Sequence, residues 1–405
     1  MDRITRLFPI LLFAAVAGCG DGSTAPKINQ RSGQPSFDLT QSPSCPATAT
    51  FTVTDEATLQ TASKAVKPGD VIAVRGMIGL TADVFLSTPD VTLTCATPNA
   101  GLFALSTAVD ALIVVTAGGS GVVVAGLVLD ASGTVGGPYF AGDTSSLPGS
   151  IVAVPKVRFS NNTVTCGPGF CTFFSGTPGA MVFGNTFMTA GSSTGIHMQG
   201  AGPTVLAIPI DGSRVEGNTV VTTAPPCTFF FLGGIRTIGG RRVVIRDNVV
   251  RGSWCASISA SILTESMITD NRFEGAAGNG IEFGNGRGGV TARIRVQKTV
   301  VLHNSASGAG KAGLDAAQAC YNRFVDNELE GNAADLGIVL GVTTGANLVA
   351  GDDNAFVLDL GAFDCAGDGV ITPNIITGQP AGRGVDPAEL LSDHPVMKVH
   401  GIVVQ

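Results

Sequence analysis

The chain has 405 residues, a formal net charge of −7 at pH 7, 55 glycines and 21 phenylalanines, but only one tryptophan. The acidic balance and the lack of any Lys/Arg cluster exclude the electrostatic footprint of a nucleic-acid-binding protein. Hydrophobic residues make up 44% of the chain, which is enough for one elongated domain or two ordinary ones.

Residues 1–18 have the pattern of a secretory signal peptide. Arg3 and Arg6 precede an apolar run over residues 7–15, which is too short to span a bilayer. The run leads into Val-Ala-Gly before Cys19, a stretch that resembles the lipobox of bacterial lipoproteins. This resemblance implies cleavage before Cys19 and diacylglycerol on its sulfur. It also implies an exported, membrane-anchored lipoprotein at the outer membrane or cell surface of a bacterium.

The rest of the chain divides into three parts. Residues 19–46 are rich in Ser, Thr, Gln, Pro and Gly, which predicts a flexible tether. Residues 47–380 carry the repeated pattern described below, and near their start Thr54 is predicted to cap a helix. Residues 381–405 are predicted to form a C-terminal cap and tail, because Asp386 and the proline after it open a short helical pattern.

Eight cysteines remain after Cys19, and an even number in an exported chain indicates disulfides. Cys166 and Cys171 bracket a short loop that a disulfide could close. Cys227 and Cys255 are expected to project from neighbouring turns. The pairings otherwise stay open. No metal site is predicted from the cysteines, because there is no CxxC pair and no Cys/His cluster.

A short phrase built on a polar turn and an asparagine recurs at intervals of 23 to 33 residues, a period typical of stacked supersecondary units. Its anchors are Asn162, Asn185, Asn218, Asn248, Asn271, Asn327 and Asn354, with Lys298 in place of asparagine in one further copy. A second phrase, Gly-apolar-x, follows at Gly195, Gly234, Gly280, Gly313 and Gly337. Helical spacing is absent, so each repeat is predicted to hold three short strands that gain a core only by stacking.

This pattern resembles the right-handed parallel β-helix of the pectin-lyase-like superfamily, over roughly residues 50 to 380. The resemblance implies an asparagine ladder between the second and third strands of each coil, with the Gly-apolar-x phrase as the first strand. Asparagine suits such corners because it tolerates left-handed backbone conformations. We therefore predict an all-β solenoid with an N-terminal capping helix. The alternative is a β-sandwich or propeller with scattered asparagine turns, which the scarcity of hairpin signals disfavours.

Aligning the Gly-apolar-x phrases predicts one outward-facing residue per coil. The column reads Phe174, His197, Arg236, Ser259, Glu282, Asp315 and Val339. Glu282 and Asp315 would lie about 5 Å apart, a separation that suits a retaining glycosidase, and the pair could also bind Ca²⁺. Arg236 with His197 could instead neutralise a uronate carboxylate and abstract a proton, as β-elimination requires.

The superfamily carries its substrate grooves on this first-strand face, so the resemblance implies an extracellular polysaccharide as partner. Ser259 and Trp254 are then candidate substrate-binding residues, with Trp254 as a stacking platform. The signature motifs of pectate lyases and polygalacturonases are missing, so lyase or hydrolase chemistry stays undecided. The alternative is a non-catalytic surface or adhesion protein whose polar column is ordinary solvated surface.

Overall fold

A computed structural model describes Cys45 and residues 48–133, 137–142, 152–167, 170–189, 194–201, 207–223, 233–284, 295–329, 336–350 and 356–377. Short parallel strands dominate these residues, and each strand pairs with its counterpart in the coil before and the coil after. The chain passes through three sheets in turn, which is the predicted parallel β-helix. Parallel pairing in register explains the repeat, because each coil hydrogen-bonds only to its two neighbours.

The first sheet contains the Gly-apolar-x phrases. Its twelve strands are Val84–Leu86, Ile113–Val115, Tyr139–Ala141, Thr172–Ser175, Ile196–Gln199, Gly233–Arg241, Ala256–Thr264, Asn279–Phe283, Val296–Gln297, Leu314–Cys320, Leu336–Gly345 and Phe356–Asp359.

The second sheet follows the first in each coil. Its thirteen strands are Phe51–Val53, Val71–Val74, Thr92–Cys95, Val123–Ala125, Arg158–Ser160, Met181–Phe183, Arg214–Glu216, Val244–Arg246, Met267–Thr269, Val300–Leu302, Arg323–Val325, Leu348–Ala350 and Ile375–Ile376.

The third sheet completes the coil. Its nine strands are Met77–Leu80, Gly101–Ala104, Val128–Ala131, Thr163–Cys166, Thr186–Thr189, Thr219–Thr222, Val249–Arg251, Arg272–Glu274 and Ser305–Ser307. In the three-residue strands of the second and third sheets, except Phe51–Val53, the middle side chain points inward and is buried, as with Ile245 and Val250. The core is therefore a column of apolar side chains inside the coils.

One helix, Glu56–Ala65, packs against the first coils at the N-terminal end. Its N-cap is Asp55 rather than the predicted Thr54, because the Asp55 carboxylate accepts a hydrogen bond from the Thr58 amide at 2.8 Å. The buried Leu59 and Ala62 form its apolar face. The helix covers the strand edges that would otherwise be open at this end.

The asparagine ladder lies between the second and third sheets, as the resemblance implied. The side-chain amide of each asparagine donates to the side-chain oxygen of the next at 2.9–3.0 Å. The rungs are Asn162, Asn185, Asn218, Asn248, Asn271, Asn304 and Asn327, each at most 1% exposed. Every rung therefore satisfies buried polar groups of its neighbours.

Three details of the ladder differ from the sequence prediction. The rung between Asn271 and Asn327 is Asn304, not Lys298, which lies at the corner between the first and second sheets. Left-handed backbone falls on the residue before each rung, as at Asp247 with φ 56°, and not on the asparagine. The asparagine amide is thereby free to bond along the stack. The predicted anchor Asn354 lies outside the described residues.

A second, shorter ladder joins the first and second sheets near the C-terminal end. The Asn322 side chain donates to Asn347 at 3.0 Å, and Asn347 donates to Asn374 at 2.8 Å. The backbone amide of Thr299 donates to the Asn322 side-chain oxygen at 2.9 Å, which extends the column by one rung. The asparagine repeat in the sequence predicts only the corner between the second and third sheets, so it does not predict this second ladder.

Disulfides fasten both ends of the described stack. The predicted pair Cys166–Cys171 is confirmed, and the further pairs are Cys45–Cys95 and Cys320–Cys365. Cys255 is also disulfide-bonded. Cys227 lies outside the described residues, as do the predicted signal peptide, the lipidation site Cys19 and the C-terminal cap.

Candidate functional site

The predicted outward column is present on the first sheet. His197 pairs in register with Arg236, Arg236 with Ser259, Ser259 with Glu282, and Glu282 with Asp315. Successive rungs of a sheet lie about 4.8 Å apart, so the five side chains span roughly 19 Å along the helix axis. The Gly-apolar-x alignment therefore predicted the register of these residues correctly.

The glycines of these phrases determine where each strand of the first sheet starts and therefore which of its residues points outward. A Cβ atom at Gly280 would overlap the Gly313 carbonyl oxygen, and one at Gly195 would overlap Val220 of the third sheet. Only glycine fits this tight corner between the third and first sheets. The next residue then turns inward and the one after it outward, which places the charged column.

The first rung of the column was misassigned by one residue. Phe173, not Phe174, pairs with His197. Phe174 is fully buried, and its ring lies 5.2 Å from that of Tyr139 inside the coil. No Gly-apolar-x phrase marks this coil, so the sequence alone did not decide which of two adjacent phenylalanines points outward.

His197 is enclosed rather than open to solvent, with 2% of its surface exposed. The Phe170 ring meets the imidazole edge-on at 4.8 Å, and the Phe173 ring lies at 4.9 Å. Nε2 lies 3.1 Å from Gln199 Oε1, and Nδ1 has no hydrogen-bond partner among the described residues. Burial, with the positive Arg236 second, lowers the pKa of His197 to about 3. The imidazole is therefore neutral at physiological pH.

Arg236 is partly buried and carries the only positive charge among the five column residues. Burial lowers the pKa of Arg236 to about 10, while the negative charge of Glu282 acts in the opposite direction. Ser259 occupies the rung between them, so the guanidinium interacts with a carboxylate two rungs away. Arg236 stays charged and is already engaged by an anionic neighbour.

Glu282 and Asp315 occupy adjacent rungs and are both partly buried. The Asn279 side chain donates to Asp315 Oδ2 at 3.4 Å. Asn279 is itself held, because its side-chain oxygen accepts from the Ala312 amide at 3.1 Å. Sequence reasoning missed Asn279, although it directly precedes the Gly280 phrase, because its direction depends on the following coil. The two carboxylates therefore lie next to each other on the outer face, and Asn279 orients that of Asp315.

Trp254 is not a stacking platform. It is 2% exposed, and its indole Nε1 donates to the Arg251 carbonyl oxygen at 2.9 Å. The ring packs beside Gly234, where the missing side chain leaves room for it. The prediction from the sequence was wrong because a corner position can point into the core as readily as out of it.

An aromatic column that sequence reasoning missed continues the charged one towards the N-terminus. Phe85, Val114, Phe140 and Phe173 pair in register on the outer face of the first sheet. The Phe140 and Phe173 rings stack at 5.5 Å, and Phe85 is 50% exposed. The available signal was the alternation of buried and outward residues along each strand. The face is thus apolar in one half and charged in the other.

No group of three or more His, Cys, Asp or Glu side chains that could hold a metal ion occurs in the described ranges. Asp364, in a glycine-rich loop, is engaged by its own backbone: it accepts from the Gly367 and Gly369 amides at 2.6 Å each. No helix among the described residues is long and apolar enough to cross a membrane.

Several solved structures resemble this chain in fold. An alginate lyase from Paenibacillus sp. str. FPU-7 is 14% identical, with 72% of this chain and 98% of that chain covered and a TM-score of 0.50. DFA-IIIase from Arthrobacter chlorophenolicus A6, without its lid and in complex with GF2, is 14% identical. The match covers 80% of this chain and 94% of that chain, with a TM-score of 0.46. The Dettilon tailspike protein is 11% identical, with 79% of this chain and 64% of that chain covered and a TM-score of 0.47.

These likenesses concern the fold, since the identities are low. No curated protein sequence matches the chain. Residues 144–360, more than half of the chain, match the family described as "Right handed beta helix region". With its three parallel sheets and its asparagine ladder, the chain belongs to this right-handed β-helix family.

Proposed function

We propose that this protein binds an extended polysaccharide along the outer face of the first sheet and hydrolyses it with Glu282 and Asp315. The observation that carries the proposal is the register of the two carboxylates on adjacent rungs, in line with the aromatic column. A face with one outward residue per coil suits a long, repetitive ligand better than a compact one.

The register of the carboxylate pair is compatible with hydrolysis with retention. Adjacent rungs are about 4.8 Å apart at the backbone, so the two carboxyl groups can approach the roughly 5–5.5 Å separation of retaining glycosidases. Arg236 stabilises the carboxylate of Glu282, which suits a nucleophile. Asp315, oriented by Asn279, is then left for the acid/base role.

Elimination chemistry is less well supported. It needs a base that reaches the substrate and a cation that is free for the uronate carboxylate. The His197 imidazole is enclosed by Phe170 and Phe173, and its pKa of about 3 makes it a weak base. Arg236 already interacts with Glu282. These contacts favour hydrolysis of a neutral polysaccharide over β-elimination of a uronate polymer.

The aromatic half of the face would supply binding rather than chemistry. Phe140 and Phe173 are partly exposed, and phenyl rings offer apolar surface for the C–H groups of sugar rings. Ser259 lies between Arg236 and Glu282 in the column and would contact a hydroxyl group of the bound sugar. A bound chain would then run along the axis across both halves.

The test is a screen of the purified protein against neutral and uronic-acid polysaccharides. New reducing ends report hydrolysis, and absorbance of unsaturated uronates reports elimination. We expect reducing ends from a neutral polymer, and at least a hundredfold loss of rate in Glu282→Gln and Asp315→Asn. Glu274→Gln, on the third sheet, is the matched control and should retain activity.

The second candidate is a non-catalytic surface protein. The interaction between Arg236 and Glu282 favours it, because such pairs also form ordinary ion-pair ladders. Binding without cleavage across the whole panel would select this candidate, and absence of both binding and cleavage would reject the polysaccharide proposal. Ca²⁺ between Glu282 and Asp315 is tested by repeating the screen with a chelator.

Export and lipid anchoring through Cys19 also belong to the proposal, supported by the residues that resemble a lipobox. In a bacterial host, metabolic labelling with a fatty-acid analogue should tag the protein and place it in the membrane fraction. Cys19→Ala should abolish the label. A wild-type protein that carries no label would reject the anchor.

A further inference from the structure

One outward column of the second sheet is apolar, except for Arg323, over the last six coils. Val244, Met267, Val300, Arg323, Leu348 and Ile375 pair in register in one outward column. The neighbouring column begins with Arg246 and Thr269 and then continues with Leu302, Val325 and Ala350. We call the six residues of the first column, together with Leu302, Val325 and Ala350, the apolar strip. Arg323 is its one charged member, and the strip spans five rung intervals, about 24 Å.

The other two sheets behave differently in the same coils. Outward positions of the first sheet carry Ser259, Glu282 and Asp315, and only then Val339. Outward positions of the third sheet carry Arg272 and Ser305, and Arg272 pairs with a glutamate on its own strand at 2.6 Å. Outward residues that face water are expected to be polar, so an apolar column that continues through six coils of the second sheet indicates that something covers it.

The strip continues into exposed apolar residues at the open end of the helix. Val370 is 61% exposed, Ile371 57%, Ile375 58% and Ile376 37%. Ten large hydrophobic residues are exposed in the described part of the chain, and these four lie within seven residues of one another. Ile376 continues an inward-facing column, and no further coil follows it within the described residues. Surface of this kind is usually covered.

The chain itself offers an occupant of the right length. The described part ends at residue 377, one residue after the last strand of the strip, and residues 378–405 follow. Residues 395–404 are predominantly apolar, with the sequence PVMKVHGIVV. About eight extended residues span 24 Å, so this run can reach along the whole strip. The last described residue, Thr377, lies next to Ile375 at the C-terminal end of the strip, so the undescribed segment starts beside the surface that it would cover.

We propose that the C-terminal segment, residues 378–405, folds back over the second sheet and packs residues 395–404 on the apolar strip and the open end. Burial of apolar surface on both partners would stabilise the last coils, which carry Asp315 and the Cys320–Cys365 disulfide. The proposal concerns the second sheet and does not depend on the activity proposed for the first.

Hydrogen–deuterium exchange of the full-length protein tests the proposal. We expect amides of residues 395–404 to exchange at least tenfold more slowly than in a synthetic peptide of the same sequence. The variant Val300→Asp with Leu302→Asp should abolish this protection. The matched control is Thr163→Asp with Thr186→Asp on the outer face of the third sheet, which should leave the protection unchanged. Tail amides that exchange at the peptide rate in the wild type would overturn the proposal.

A second pair of variants covers the case in which the aspartates in the strip prevent folding. Val399→Asp with Ile402→Asp alters only the tail, and should raise binding of a hydrophobic dye several-fold while the ladder amides stay protected. Unchanged dye binding would overturn the proposal. Sedimentation decides the competing occupant: a full-length dimer with an unprotected tail would show that a second copy covers the strip, which also overturns the proposal.

Discussion

Two columns of polar side chains run along the coils, one inside and one outside. The inner column, which includes Asn218 and Asn248, is fully buried, and every amide is bonded to its neighbours. The outer column, with Arg236, Glu282 and Asp315, is partly buried and consists of unlike charges. Both repeat once per coil. Burial and hydrogen-bond satisfaction, rather than periodicity, therefore separate a structural column from a candidate functional one.

The largest expected effect is a loss of stability when the inner column is interrupted. Asn248→Leu keeps the volume of the side chain but removes its hydrogen bonds to the Val215 carbonyl at 2.9 Å and to Asn218 and Asn271. The partners are left buried and unpaired, so the free energy of unfolding should fall by about 3–5 kcal/mol. Urea denaturation measures the change. A loss under about 1 kcal/mol would show that the ladder is not a major source of stability.

The next effect separates activity from stability in the outer column. Glu282→Gln should lower the rate of hydrolysis at least a hundredfold, which corresponds to about 2.7 kcal/mol of transition-state stabilisation. The free energy of unfolding should change by less than about 1 kcal/mol, because partly exposed ion pairs contribute little. Steady-state rates and urea denaturation on the same preparation test both statements. A large loss of stability with the activity retained would make Glu282 a structural residue like Asn248.

The third effect concerns pH. The pKa of His197 is about 3 in the folded protein, against an ordinary value of 6.5, because the ring is buried. As the pH falls below 6.5 the unfolded chain takes up a proton that the folded protein does not, so stability is lost between pH 6.5 and pH 3. Between pH 7 and pH 4.5 this group should account for about 2–3 kcal/mol.

His197→Phe removes the titrating group and keeps a ring between Phe170 and Phe173. The difference in unfolding free energy between this variant and the wild type should therefore vary with pH, in favour of the variant at acid pH. Urea denaturation at several pH values measures it. A difference independent of pH would mean that the imidazole titrates normally and is not enclosed.

The smallest effect is expected at an exposed ion pair. Arg272 lies 2.6 Å from Glu274, but its side chain is 65% exposed. Arg272→Ala should change the free energy of unfolding by less than about 0.5 kcal/mol, since solvent screens such pairs. Urea denaturation measures the change, and this variant provides the baseline with which the other variants are compared. A loss comparable with that of Asn248→Leu would contradict the distinction between inner and outer columns.

Sequence periodicity determined the architecture of this protein. Asparagine at regular intervals predicted the coils and most of the ladder, because only stacked corners can satisfy a repeated buried amide. The Gly-apolar-x phrases predicted the register from His197 to Asp315, because glycine alone fits the corner before the first strand. Both inferences depend on local backbone geometry, which neighbouring residues in the chain decide.

Tertiary structure decided which side chains face solvent. His197, predicted to lie on the exterior face, is enclosed by the rings of Phe170 and Phe173, which lie 27 and 24 residues before it in the chain. Trp254 turned into the core beside Gly234 of the preceding coil, and Phe173 rather than Phe174 joined the column. Each outcome depends on residues about one coil away, between 20 and 40 positions along the chain. Burial is a property of the stack, so no single repeat contains the information.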